Sequence, residues 1–185
     1  MNQARQDLRD HLLKHSVRRG EFTLKSGAKA TYFIDAKQTA ADPDGMLLVA
    51  ECLLEMIPGD VDAIGGMTMG ADPVAFGVAG VAATRGRKLK SFSVRKEAKG
   101  HGAGGRIAGS LAPGDRVVIT EDCVTRGVSP IEAAEVVREF GAEVVLIAPI
   151  VDRGGSCEKL ARDAGIDFQP ILTAPDLELP YEGGL

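Results

Sequence analysis

"VVITEDCVTRGVS", residues 117 to 129, decides how the rest of the chain is read. Val117 to Thr120 form a short β-branched run of the kind that fills a fully buried strand. Two adjacent acids, Glu121 and Asp122, follow it, and the loop Cys123-Val124-Thr125-Arg126-Gly127-Val128-Ser129 leads into a helical pattern from about Pro130 to Phe140, stopped by Gly141. "EVVLIAPIVD" (143 to 152) is then another β-branched run. Strand, loop, helix and strand at this spacing make a crossover unit, which joins parallel neighbours.

The same alternation extends outward. "VDAIGG" (61 to 66) is strand-like and runs into a glycine turn, "DPVAFGVAGVAATR" (72 to 85) is helical, and "LKSFSV" (89 to 94) alternates like a strand. Leu8, Leu12 and Leu13 lie at helical spacing, and "MLLVAECLLEMI" (46 to 57) reads as a more buried helix ended by Pro58-Gly59. "FTLKSGAKATYFID" (22 to 35) has strand-like alternation about a tight turn at Ser26-Gly27. The chain is therefore expected to be an α/β fold, a mainly parallel sheet covered by helices on both faces. With no internal repeat, low-complexity tract or linker, residues 1 to 185 are expected to form a single domain. In such sheets ligands gather at the carboxyl ends of the strands, so the informative residues should lie just past each apolar run.

The 185 residues suffice to bury roughly 70% of the surface an unfolded chain exposes. A composition 44% hydrophobic and 26% charged is ordinary for a globular protein, and 4% aromatics with no Trp point to an Ala/Val/Leu/Ile core. The net charge of −4 argues against a general nucleic-acid or anionic-membrane binder, so an anionic ligand must be met by a local basic cluster. Cys52, Cys123 and Cys157 are odd in number and far apart, without C-x-x-C spacing; a reducing cytoplasm is expected. "MNQARQDLRDHLLKHS" lacks the apolar stretch of a signal peptide, and no window approaches the ~18 apolar residues of a membrane span.

Several stretches carry chemistry. Glu121 and Asp122, on alternate sides of a strand end, would hold two separate hydroxyls of a sugar. The backbone N–H groups of the following loop, the Thr125 and Ser129 hydroxyls and the N-terminus of the next helix would together cradle a phosphate. The ordinary alternative is that Asp122 and Ser129 merely cap a turn and a helix. "GGMTMGADP" (65 to 73) offers exposed N–H groups suited to pyrophosphate, or simply a glycine turn with Asp72 or Pro73 opening a helix. It is not a Walker A loop, since no G-K-[ST] follows. In "VRKEAKGHGAGG" (94 to 105), Arg95, Lys96, Lys99 and His101 face only Glu97 as an opposing charge. This is either a solvated loop or a lid whose cations close over a polyanion. "GHGAGG" (100 to 105) also matches the dinucleotide fingerprint G-x-G-x-x-G, with Glu121 near the spacing of a ribose-binding acid. That reading fails on context, because a charged run precedes it and "RIAGSLAPGD" leaves little room for the required helix. Lys25 and Arg153 are surface charges by default and anion receptors if they face the carboxyl edge of the sheet.

Taken in order, "FTLKSG", "GADPVA", "VRKEAKGHG", the double-acid loop and "VDR" make the chain resemble the orotate phosphoribosyltransferases of the type I phosphoribosyltransferase family, from about Phe22 to Arg153. The resemblance implies a mainly parallel sheet with a flexible lid loop and a small hood, the latter from residues 1 to 40 and the C-terminal segment. It implies transfer of ribose 5-phosphate from phosphoribosyl pyrophosphate to N1 of orotate, with Mg²⁺ carried by the sugar pyrophosphate rather than by protein ligands. Lys99, Asp122, Arg95 and His101 would be catalytic. Arg95, Lys96, Lys99 and His101 would contact pyrophosphate, some across a homodimer interface, and Thr68 and Met69 are further substrate-binding positions. Glu121 and Asp122 would hold the ribose hydroxyls, and Cys123, Val124, Thr125, Arg126, Gly127, Val128 and Ser129 would wrap the 5-phosphate. Lys25, the Phe33-Ile34 backbone, Thr125 and Arg153 would line the orotate end, with Arg153 facing a carboxylate or carbonyl edge. No nucleic-acid or membrane partner is implied. The chain departs from the family pattern at Arg126 and Val128, where the phosphate loop usually has small residues, and at Met69, where some members have lysine. A regulator that binds the sugar donor without chemistry, or transfer to another base, are the alternative functions. The cationic lid favours an enzyme, and Lys25 with Arg153 favours an anionic base.

Overall fold

The computed structural model describes residues 1–23, 29–98 and 105–182; the expected turn at Ser26-Gly27, with Lys25, Lys99 and His101, lies outside them. Helix α1 (Gln3–His15) is capped by Asn2, whose side chain accepts from the Arg5 N–H, and buries Leu8 and Leu12. Strands β1 (Val17–Thr23) and β2 (Lys29–Ile34) pair antiparallel as a small separate sheet. Helix α2 (Ala36–Ala41) is followed by α3 (Pro43–Met56), where Pro43 opens the helix and the Asp42 side chain accepts from the N–H groups of Asp44 and Gly45.

The main sheet comprises β3 (Ala63–Met67), β4 (Lys90–Val94), β5 (Ile107–Gly109), β6 (Arg116–Val124), β7 (Glu143–Asp152), β8 (Asp167–Phe168) and β9 (Leu172–Thr173). Helices α4 (Ala71–Thr84), α5 (Val128–Glu139) and α6 (Cys157–Asp163) connect its strands, and a 3₁₀ turn, Pro175–Leu177, follows β9. The strand order is β5-β4-β3-β6-β7-β8, with β9 also on β7, and every pair is parallel except β4 with β5. From β3 the chain moves outward to β4, then returns to lay β6 on the other side of β3. The order thus reverses between β3 and β6, where an open α/β sheet leaves a crevice.

Two apolar cores lie on the two faces. Val118 of β6 joins one with Leu53 of α3 and Val78 of α4, while Val117 and Ile119 join the other with Ala134 and Val137 of α5. Among the described residues no helix is long and apolar enough to cross a membrane.

Three features differ from the sequence reading. Strand β6 does not stop before the acids but runs through them to Val124, because β7 continues in register beside it, Glu121 opposite Pro149 and Val124 opposite Asp152. Helix α5 starts at Val128, ahead of Pro130, which is tolerated in the first turn where its missing N–H has no intrahelical partner to lose. Helices α2 and α6 and strands β5, β8 and β9 are too short to display a period. As the sequence reading expected, the dinucleotide fingerprint is followed by no helix but by strand β5.

The switch point demands close approach of β3 to β6. A Cβ on Gly66 would collide with the Thr120 carbonyl oxygen and the Ala71 side chain. Gly66→Ala is expected to cost roughly 1–3 kcal/mol and to lower the thermal midpoint, at about 2–4 °C per kcal/mol; calorimetric melting checks it.

Candidate active site

The ends of β3, β4, β6 and β7 meet at this crevice. Glu121 and Asp122 are both buried, each 7% exposed. They do not diverge as strand alternation suggested. A Cβ on Gly70, just ahead of α4, would collide with Glu121 Oε1 and with Asp122 Oδ1, so the two carboxylates converge on one spot that only a glycine leaves free. Burial, and after it the charge of Asp122, pushes the Glu121 carboxyl up to about 8.

The countercharge is Lys37, which the sequence reading passed over. Its Nζ lies 2.8 Å from Asp122 Oδ2 and 3.1 Å from Asp35 Oδ1. Burial opposes the ammonium, but the hydrogen bonds and charges of Asp122 and then Asp35 outweigh it and hold Lys37 above the usual lysine range. Asp122 is thus paired with Lys37 while the Glu121 carboxyl beside it retains its proton. Nothing local marks Lys37: it stands in a polar segment after β2, 85 residues from its partner.

Beyond the acids the chain turns through Thr125-Arg126-Gly127 into α5. Gly127 takes φ 79°, and a Cβ there would press on Cys157 Sγ at 2.7 Å. A cavity of about 210 Å³ opens here, lined by Glu121 and residues 123–130. The first N–H groups of α5 have no intrahelical acceptors, and the 12-residue helix directs its dipole at the same space. Val124 is buried and Cys123 half-buried, while Arg126, Val128 and Ser129 are exposed. The capping alternative does not describe this turn: Gly127 stands at the cap without a side-chain bond, and Asp122 is engaged by Lys37. Burial pushes the Cys123 thiol up to about 12, which leaves no thiolate at neutral pH.

Thr125 and Arg153 are brought together. Arg153 donates to Thr125 Oγ1 from Nε at 3.1 Å and from Nη2 at 2.8 Å, and Ser156 Oγ donates to the Thr125 carbonyl at 3.0 Å. The turn carrying Arg153 is set by Asp152, which accepts from the Gly154 and Gly155 N–H groups at 3.1 and 3.0 Å. On the other side of the crevice, Thr68 Oγ1 and Ser93 Oγ each donate to Asp72 at 2.7 Å, so Asp72 both opens α4 and ties the glycine turn to β4. Met69 is 73% exposed on that turn. The Arg95 N–H donates to the Arg106 carbonyl at 2.7 Å, at the base of the segment that carries Lys99 and His101 outside the described residues; Lys96 is exposed.

Phe33 and Ile34 belong to the small sheet. Ile34 enters the core, whereas Phe33 is exposed, its ring centroid 6.0 Å from that of Phe22. Their neighbour Tyr32 reaches the C-terminal segment, donating to the Pro180 carbonyl at 2.6 Å. Tyr32 and Lys37 are the links between this sheet and the crevice that the sequence did not reveal.

A solved orotate phosphoribosyltransferase of Mycobacterium tuberculosis, in complex with Fe(III) dicitrate, matches with TM-score 0.85 and 34% identity over 95% of this chain and 99% of that one. The same enzyme in complex with 5-phospho-α-D-ribosyl 1-diphosphate matches with TM-score 0.81 and 31% identity over 95% and 99%. The mostly parallel sheet and its flanking helices are those of a type I phosphoribosyltransferase. No protein-family model matches the chain. An orotate phosphoribosyltransferase of Streptomyces avermitilis is 44% identical over 181 residues, covering 97% of this chain and 100% of its own length. The chain belongs to the orotate phosphoribosyltransferase family.

The raised Glu121 carboxyl has a consequence for stability. Between its ordinary 4.5 and about 8, native Glu121 keeps a proton that the unfolded chain has lost, so its contribution favours folding at low pH and is withdrawn as pH rises. Glu121→Gln is expected to melt above the unsubstituted chain by a margin that widens from pH 5 to pH 8. Parallel melting curves across that range would show no trend if the carboxyl were unperturbed.

Proposed function

We propose that the crevice transfers ribose 5-phosphate from phosphoribosyl pyrophosphate to N1 of orotate, giving orotidine 5′-monophosphate and pyrophosphate, a pentosyl transfer of the pyrimidine pathway. The convergence of Glu121 and Asp122 beside the α5 cradle carries this reading, because a phosphorylated sugar needs hydroxyl and phosphate receptors about one ribose apart. Asp122 accepts from one ribose hydroxyl and the Glu121 carboxyl meets the other. The loop 123–129 and the N-terminus of α5 take the 5-phosphate, and Arg126, exposed at the rim, adds positive charge there.

At the anomeric carbon, bond breaking develops positive charge on the sugar and negative charge on the leaving pyrophosphate. Cations that meet the leaving group as it departs lower the barrier more than they tighten the ground state. Arg95, Lys96, Lys99 and His101 have that role by family resemblance, with Thr68 and Met69 on the facing turn; exclusion of water by the same segment protects the activated sugar. Orotate is itself an anionic nucleophile, so the inert Cys123 thiol is not required. Arg153, with Thr125, receives the acidic edge of the base, and Lys25 and the Phe33-Ile34 backbone complete that end.

Mg²⁺ neutralises charge on the pyrophosphate when bound. Two neighbouring carboxylates fall short of a closed protein cage, and this donor set suits an ion that keeps most of its ligands from substrate and water. The ion would therefore arrive on the sugar pyrophosphate rather than on protein ligands. The hood is assigned to residues 1–40 with the C-terminal segment, supported by Arg9, which donates to the Asp176 carbonyl at 2.7 Å, and by the bond from Tyr32 to Pro180. A homodimer in which lid cations serve the neighbouring site, and a cytoplasmic setting that keeps Cys52, Cys123 and Cys157 as free thiols, complete the proposal.

The loss of orotate absorbance on mixing with phosphoribosyl pyrophosphate and Mg²⁺, with product mass determined, tests the reading. Donor binding without turnover would point to a regulator, and turnover of a different base to altered specificity. Lys99→Ala is expected to lower kcat far more than donor affinity, while Asp122→Asn weakens donor binding; equal losses of both quantities in Lys99→Ala would remove the leaving-group role.

A further inference from the structure

The C-terminal segment places a second acid on the base end. Glu182 Oε2 lies 3.2 Å from Arg153 Nε, and the two side chains are only 14% and 17% exposed. Among the described residues neither Glu182 carboxylate oxygen accepts a hydrogen bond, although both are shut off from solvent. The segment is docked by its backbone instead. The Glu182 N–H donates to the Arg153 carbonyl at 2.9 Å, Tyr32 donates to the Pro180 carbonyl at 2.6 Å, and Tyr181 places its ring where a Cβ on Gly155 would touch it at 3.2 Å.

Arg153 does not depend on Glu182 for its position. Its guanidinium is held by Thr125 Oγ1 and its N–H donates to the Val124 carbonyl at 2.8 Å. A buried carboxylate with one ionic partner and no hydrogen bonds is poorly compensated for lost hydration. It is also the chemical likeness of the group that Arg153 is assigned to receive. We propose that Glu182 is an affinity-determining residue of the base end: an internal carboxylate that occupies Arg153 until the carboxylate of an acidic base displaces it. The inference rests on the reading of Arg153 as the receptor for the acidic edge of orotate. One guanidinium in a confined site cannot balance two carboxylates, so the incoming acid exchanges one ion pair for another and the 180–182 segment lifts as it binds. Affinity for orotate is thereby lower than Arg153 alone would give, and product leaves as the internal carboxylate returns.

The test is steady-state kinetics on the full chain with Glu182→Gln, Tyr32→Phe and Arg153→Met. Glu182→Gln removes the competing charge and keeps the shape; the KM for orotate is expected to fall about three- to tenfold, with the KM for the sugar donor unchanged. Tyr32→Phe, which loosens the same segment without touching its charge, should move the orotate KM in the same direction. An orotate KM that is unchanged or higher in Glu182→Gln, while Arg153→Met raises it, would overturn the proposal and leave Glu182 as a bystander or an orienting partner. An orotate KM unaffected by Arg153→Met would remove the assignment of Arg153 and the proposal with it.

Discussion

Two carboxylates buried on one spot repel each other, and much of the molecule answers that repulsion. Lys37 supplies the opposite charge from a helix remote in sequence, Glu121 keeps its proton, and Gly70 withholds a side chain from the space both acids face. The arrangement needs three elements at once: β6 to carry the acids past the end of its apolar run, the β3–α4 turn to leave them room, and the β2–α2 corner to bring the lysine. Two acids can be buried side by side inside a protein wall only with a countercharge, a retained proton and free space of this kind.

Much of the sheet was legible because its strands are buried on both faces and therefore read as continuous β-branched runs. Val117 to Thr120 and Val144 to Val151 are such runs, and the helices between them show their period. Glycines at 65, 66 and 70 marked the turn after β3 but not the close packing of Gly66 on Thr120 or of Gly70 on the two acids. What stayed hidden is what local sequence does not encode. The extension of β6 through Glu121 and Asp122 is decided by β7 alongside, since acids are poor strand formers on their own. Lys37, Tyr32 and Glu182 act through partners distant in sequence and carry no spacing signal. The capping and surface readings of Asp122 and Arg153 were reasonable alternatives; only burial and the partners Lys37 and Thr125 set them aside.

The small sheet, α1 and the C-terminal segment share the core on one face of the main sheet through Leu8, Leu12, Ile34, Leu177 and Leu179, and polar contacts add to that packing. Arg9 reaches the Asp176 carbonyl and the Glu178 carboxylate, Tyr32 reaches Pro180, and Glu182 reaches Arg153. Polar contacts at the edge of a packed core exchange more readily for water or ligand than the apolar contacts within it.

The outer strands of the main sheet are three residues long in β5 and two in β8. A long parallel sheet built from Val and Ile would otherwise present an unpaired row of N–H and C=O groups to any extended chain. With so short a ledge at either side, an incoming strand finds too few ladder partners to register, and the most aggregation-prone sequences in the protein, β6 and β7, are kept in the interior.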